Sequence, residues 1–348
     1  MSAAKAIAAC SEREGHAGYA YDTLDVTSKA FRTWYAGGYE TLVKRNPWFW
    51  GHLYRVSDRP LLAYQFQTAL DYTMCFGVER WIRELSPEWI LCTHSLPQPT
   101  LAKLRGKYGF KVAVCVTDLH PHSMWLRGSP DRFFVPTRYT QERLAKRYPR
   151  SETCTELVGM PVHPAFKPAP SAPETPMILV SSGGIGGGPI PAVVSSLATL
   201  PHRIVVVTGR NEALKVELQS LQLPETVEIK GNVPLECMAE LMQSASILVS
   251  KPGGLTMFES LATGLPMVVF KPLMIPGQEE DNAQFLVESG AGLMEGNLDR
   301  LAPICQALID APDRLRDMRE AALREAKPDA AEQIVRSLLG QGEPRTES

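Results

Sequence analysis

At 348 residues the chain exceeds the length at which one hydrophobic core stops growing, so two domains are expected. It is 44% hydrophobic and 21% charged, which describes a globular chain without a long disordered tail. Thirty-six basic against 38 acidic residues give a net charge of −2, and no basic excess points to a nucleic-acid partner. The seven cysteines are odd in number and dispersed, with no CxxC pair; they speak against a disulfide framework or zinc site and for a reducing compartment. No apolar run reaches the ~20 residues of a membrane-spanning helix, and the N-terminus shows no signal-peptide pattern. A protein that is soluble, or peripheral on a membrane, is expected.

The first half opens with a helical pattern over 3–13 and continues with strand candidates at 20–26, 89–93, 112–116 and 132–135. A long helical insertion rich in aromatics occupies 27–84. The stretch 159–176 contains six prolines (Pro161, Pro164, Pro168, Pro170, Pro173 and Pro176) and no periodicity, the composition of an interdomain linker. The second half then alternates short apolar strands (177–182, 204–208, 227–230, 247–250, 266–270) with helices (192–200, 211–221, 235–244, 255–263, 279–289). Such alternation describes a parallel sheet covered on both faces, whose ligands bind beyond the carboxyl ends of the strands. The expected fold is α/β, with two Rossmann-like domains facing each other across a cleft. The boundaries read as 1–160 for the first domain, 161–176 for the linker and 177–311 for the second. A C-terminal helical pattern, 302–339, supplies a segment over 312–340 that crosses back over the joint.

Three strand-exit loops of the second half carry chemistry. The run SSGGIGGG, from Ser181, places five glycines in six positions between a strand and a helix, where backbone amides can hold a diphosphate. It is neither GxGxxG nor a P-loop, so it does not say which phosphate. In Lys251-Pro252-Gly253-Gly254 the glycines free a turn into a helix that carries Glu259, a carboxylate able to accept two ribose hydroxyls or merely to complement the helix dipole. The third loop, PGQEEDN from Pro276, is crowded with side chains suited to sugar hydroxyls or to ordinary helix capping. In the first half, VTDLHPHSMW follows a strand and places Asp118 and His122 at its end. The insertion holds Phe31, Trp34, Tyr35, Tyr39, Trp48, Phe49, Trp50 and Tyr54 near Lys44 and Arg45, a mixture suited either to a membrane interface or to core.

These segments, with KPGGLTMFESLATGLPMVV, FLVESGAG and DRFFVPT, resemble the monogalactosyldiacylglycerol synthase and processive diacylglycerol glucosyltransferase family. That family is related to the N-acetylglucosaminyltransferase of the lipid-linked peptidoglycan precursor. The resemblance runs from Ser2 to about Gly292 and implies the GT-B fold. It implies an inverting transfer of a hexose from a UDP-sugar to diacylglycerol or a related lipid, giving a β-glycolipid. By position, Gly183, Gly184, Gly186 and Gly187 would line the donor diphosphate, Val233 and Leu235 would flank the uracil, and Glu259 would hold the ribose. Gln278 and Glu279 would contact the sugar, with Asn282 nearby; Lys251, Gly253 and Gly254 complete the donor set. Loop amides and a helix dipole would neutralise the leaving UDP, so the UDP-sugar is a co-substrate and no tightly bound cofactor or metal is expected. Asp118 and His122 are the candidate catalytic groups, and Trp34, Trp48, Phe49 and Trp50 the candidate membrane and acceptor residues. The expected location is the cytoplasmic face of the membrane.

One part of the family pattern has no counterpart. The family's first loop is glycine-rich and ends in a histidine, the base for the acceptor hydroxyl; here Met1-Ser2-Ala3-Ala4 aligns just beyond it, so the first strand, the glycines and that base are missing. His16, at the far end of the first helix, does not replace it. The favoured reading is a start at an internal methionine of a longer gene product, the other a truncated homologue with reduced or no activity. Two further functions stay open: a UDP-N-acetylglucosamine transferase or epimerase, and a nucleotide-sugar-binding protein without turnover.

Overall fold

The computed structural model describes residues 2–32, 46–58, 77–169, 173, 175–181, 183 and 188–341. The chain divides into two compact units. One comprises Met1–Thr41, His52–His163 and Lys327–Ser348, the other Leu42–Gly51 and Pro164–Ala326.

The second unit is built on a six-stranded sheet: β5 (Met177–Ser181), β6 (Arg203–Val207), β7 (Val227–Lys230), β8 (Ile247–Ser250), β9 (Met267–Phe270) and β10 (Gly292–Glu295). Its order is β10-β9-β8-β5-β6-β7, and every pair is parallel. This is the doubly wound Rossmann order, in which the chain direction across the sheet reverses at β5. Strands β5, β8 and β9 are buried at every residue, as continuous apolar runs must be when helices cover both faces. On one face Ile178, Val180, Val206 and Val249 meet Ile190, Val194 and Leu197 of the helix Ile190–Leu197, and Leu301, Cys305 and Leu308 of the helix Leu298–Ile309.

The first unit carries a parallel sheet of β1 (Trp89–Cys92), β2 (Lys111–Cys115), β3 (Arg132–Val135) and β4 (Thr155–Leu157), in that spatial order. One face packs Ile7 and Cys10 of the helix Ser2–Arg13, together with Ile334 and Val335 of the helix Ala330–Leu338, onto Ala113, Cys115 and Phe134. Among the described residues no strand pairs with β1 on the side away from β2.

Three expectations are corrected. Residues 20–26 form no strand; Thr23–Val26 is a 3-10 turn, because the Asp22 carboxylate accepts the Leu24 amide at 3.0 Å and closes the chain locally. The C-terminal pattern is three helices, Leu298–Ile309, Pro312–Glu325 and Ala330–Leu338, broken where Pro312 and Pro328 remove amide donors. Strands β4 and β10 were not anticipated.

The helix Gly254–Thr263 ends on Gly264 at φ +69°, where a Cβ would lie 3.0 Å from Leu323 Cγ. Gly264→Ala is therefore expected to cost about 1–2 kcal/mol through its left-handed backbone alone, read as a lower urea midpoint at unchanged slope. An unchanged midpoint would show that the turn relaxes.

Candidate donor and acceptor sites

The donor segments of the second unit meet at the switch point. Strands β5 and β8 are neighbours, and their carboxyl ends are tied by the Ser250 hydroxyl, which donates to the Ser181 carbonyl at 2.9 Å. The Ser181 hydroxyl in turn accepts the Gly183 amide at 3.3 Å. Gly183 stands at φ +66°, and a Cβ there would lie 2.9 Å from Lys251 Cε, so the lysine stem passes directly over it. Gly184, Gly186 and Gly187 lie outside the described residues.

The Lys251 ammonium pairs with Glu279, and both side chains are largely shielded from water (11% and 5% exposed). The other Glu279 oxygen accepts the Ile275 amide at 2.8 Å, so both carboxylate oxygens are engaged. A Cβ on Gly253 would sit 3.5 Å from Glu279 Oε1, and the buried Asn282 donates to the Pro252 carbonyl at 2.8 Å. Thus Gly183, Lys251, Gly253, Glu279 and Asn282 form one cluster. In it Glu279 holds the lysine and the 275 turn.

Gly253 precedes the helix Gly254–Thr263, whose first turn has no side-chain cap, so its amides remain available to an anion. Glu259, on the second turn, is half-buried and makes no side-chain hydrogen bond or ion pair among the described residues. Burial pushes its carboxyl up to about 7. Val233 and Leu235 are half-buried between β7 and the helix Leu235–Ser244.

Gln278 has an unanticipated neighbour. Trp50, on the helix Pro47–Ser57, donates its indole N–H to Gln278 Oε1 at 3.3 Å. Beside it a Cβ on Gly51 would fall 2.5 Å from the Pro276 carbonyl oxygen, and one on Gly277 (φ +81°) 2.9 Å from the Gly51 oxygen. Trp48 and Phe49 are instead exposed (70% and 45%), while Trp34 lies outside the described residues.

In the first unit the loop after β2 holds Asp118 and His122 in contrasting settings. His122 is fully buried; its Nδ1 accepts the Met124 amide at 3.2 Å, capping the short turn Ser123–Leu126. That leaves Nε2 protonated, facing the Tyr54 carbonyl at 3.0 Å and Ser57 Oγ at 3.3 Å. Burial lowers its pKa, against the pull of Asp58, so the ring is neutral at pH 7. With Nδ1 accepting the Met124 amide and the Nε2 proton directed at Tyr54 and Ser57, His122 serves as a cap for this loop. Asp118 is half-buried and its Oδ2 accepts the Trp125 indole N–H at 3.1 Å, which orients the carboxylate. Asp58 anchors the loop by accepting the Ser123 amide at 2.7 Å while pairing with His120 and Arg147. Burial alone would raise its pKa, but these donors outweigh it and hold the carboxyl far below the usual range.

His94, not singled out in the sequence, stands exposed just past β1, its ring 6.4 Å from that of Trp125. Its Nδ1 accepts the Leu96 amide at 3.1 Å, so its neutral ring presents an Nε2–H donor, the wrong tautomer for a base. The available signal was its position at a strand end.

A model of the monogalactosyldiacylglycerol (MGDG) synthase family matches residues 1–162, and one of the glycosyltransferase family 28 C-terminal domain matches residues 190–334. A processive diacylglycerol beta-glucosyltransferase of Bacillus cereus is 30% identical over 268 residues, covering 72% of this chain and 68% of that protein. The chain belongs to this glycosyltransferase family. A protein of the same description from Bacillus mycoides is 28% identical over 262 residues, covering 71% of this chain and 67% of that one. Among solved structures, Acinetobacter baumannii MurG superposes with TM-score 0.55 at 16% identity over 78% of each chain. An S. aureus MnaA–UDP co-structure gives 0.62 at 14% identity, over 83% of this chain and 85% of that one. At such identities the likeness is one of fold, and the fold is GT-B. The protein is a glycosyltransferase of the glycolipid-forming kind.

The raised Glu259 pKa has a direct consequence. The folded state holds a proton that the unfolded chain releases near 4.5, so stability falls as pH rises from there through about 7. Glu259→Gln abolishes that fall. Its urea midpoint relative to wild type is expected to be higher at pH 8 than at pH 5, and equal differences at the two pH values would mean the carboxylate is not buried in solution.

Proposed function

We propose that the protein transfers a hexose from a UDP-sugar to the hydroxyl of diacylglycerol or a related lipid, with inversion at the anomeric carbon. The observation that carries this is the cluster at the β5–β8 switch point. There Gly183 and Lys251 adjoin a helix start without a side-chain cap, and Glu259, whose carboxylate has no partner among the described residues, lies one turn further on. The diphosphate meets the loop and helix amides and the Lys251 charge, a reading that calls on no resident metal. The ribose diol donates to Glu259, and the sugar lies at Gln278. The lipid oxygen attacks the anomeric carbon, the bond to the phosphate oxygen breaks, and UDP departs with the bonding pair.

The acceptor proton passes to Asp118, the half-buried carboxylate that follows β2 and is oriented by the Trp125 indole. Asp118→Asn, whose carbonyl can still accept the Trp125 N–H, is expected to lower kcat by roughly 10²–10⁴ while leaving UDP affinity intact. A radiolabelled transfer assay reads this with UDP-glucose, UDP-galactose and UDP-N-acetylglucosamine on diacylglycerol vesicles. Wild-type turnover unaltered in Asp118→Asn refutes the base assignment. A second reading, nucleotide-sugar binding without turnover, is favoured by the closure of His122; UDP binding with no product from any donor establishes it.

The lipid is met at a membrane surface. Trp48, Phe49, Leu53 and Val56 are all exposed on the helix Pro47–Ser57, the last three at the i, i+4, i+7 spacing of one helical face. No helix among the described residues is long and apolar enough to cross a membrane. Replacing Trp48 and Phe49 together by Ser removes two buried side chains worth roughly 1.5–3 kcal/mol each at full insertion. Vesicle co-sedimentation is therefore expected to weaken at least tenfold, and undiminished binding would place the membrane contact elsewhere.

A further inference from the structure

We propose that Trp50 is a positioning residue for donor-sugar recognition, acting through Gln278; this rests on the reading above that places the sugar at Gln278. An indole N–H only donates, so its hydrogen bond at 3.3 Å fixes which pole of the Gln278 amide is which: Oε1 faces Trp50. Any hydrogen bond the amide makes through Nε2 is then a donated one. The neighbouring Glu279 reinforces this polarity, since both its oxygens are engaged by Lys251 and the Ile275 amide. The loop therefore recognises a sugar oxygen by donating to it.

Backbone packing holds the pair in register. Gly51 and Gly277 approach so closely that a Cβ on either would fall within 3 Å of the other segment's carbonyl oxygen. Trp50 is thereby set against 276–278 by the residue that follows it, and only glycine permits the approach. Trp50 thus works differently from the exposed Trp48 and Phe49: its target is an amide of the donor loop.

Calorimetric titration of the full chain, without vesicles, tests this with UDP, UDP-glucose, UDP-galactose and UDP-N-acetylglucosamine. Trp50→Phe keeps the ring and loses the donor. It is expected to weaken the best-bound UDP-sugar roughly two- to tenfold, the scale of one neutral hydrogen bond, and to leave UDP itself unchanged. Gly51→Ala, which moves the loop without touching the indole, is expected to show the same selective loss. Gln278→Glu, which keeps an oxygen for Trp50 but replaces the donating pole with an accepting one, is expected to lose at least as much. In a Gln278→Ala background Trp50→Phe adds nothing. Three results overturn the proposal: equal weakening of UDP and UDP-sugar in Trp50→Phe, no weakening of either, or wild-type sugar affinity in Gln278→Glu. If the wild-type chain binds neither UDP nor any UDP-sugar, the donor-site reading falls and this inference falls with it.

Discussion

The arrangement of the second unit turns on the pair between Lys251 and Glu279. An ammonium and a carboxylate shielded from water lose hydration worth several kcal/mol each, and only close mutual contact with further hydrogen bonds offsets that loss. The second Glu279 oxygen meets the Ile275 amide, and the lysine stem lies flat over Gly183, where any side chain would displace it. Gly253 lies beside the same pair, with the carboxylate and the ammonium at ordinary van der Waals distance from where its Cβ would be. Asn282 closes the assembly by tying the next helix to Pro252. Three strand exits, after β5, β8 and β9, are thus locked together by one ion pair. Because the Lys251 charge is balanced by Glu279, the diphosphate proposed for this site would be held by loop and helix amides together with a compensated lysine.

The first unit uses a carboxylate in the opposite way. Asp58 collects the Ser123 amide, His120 and Arg147 and stays ionised, so it pins the loop that carries Asp118. His122 completes the pin from within by capping that loop through Nδ1 and bonding to Tyr54 through Nε2. Two charged groups and a buried ring are spent on immobilising a stretch of 117–126. At its start stands the half-buried Asp118, steadied by the Trp125 indole. A carboxylate held on so firmly pinned a loop keeps a fixed direction, the kind of preorganisation that the proposed role of Asp118 as base would need.

How much of this could be read in advance depended on where the information lay along the chain. Strands β5, β8 and β9 were legible because burial on both faces leaves unbroken apolar runs. Strand β4 is three residues, Thr155–Leu157, with an exposed leucine, and β10 opens on Gly292, where a Cβ would sit 2.8 Å from the Met267 carbonyl; neither has a run to detect. Alternation at 20–26 resembled a strand until Asp22 turned the backbone on itself. The glycines and carboxylates of the donor loops stood out because they follow strands. Their partners did not: Lys251 and Glu279 are 28 residues apart, and their meeting depends on β8 and β9 being neighbours in the sheet. The closure of His122 was equally hidden, since Tyr54 lies 68 residues away in the insertion.

The tryptophans show most directly why composition misleads. Trp48, Phe49 and Trp50 are consecutive, and successive residues on an α-helix are turned by about 100°, so three of them span some 200° of its circumference. They cannot all face one lipid surface. At least one must turn toward protein or stand apart from the apolar face, and the one best able to turn inward is a residue whose polar atom finds a partner there. Phenylalanine has no such atom, and Trp48 is open to solvent. Trp50 is followed by Gly51, which lets the helix backbone touch 276–277 and brings the indole N–H onto Gln278. The glycine, rather than the aromatic run, was the informative residue: its missing side chain marks where the helix leaves its exposed apolar face and meets 276–278.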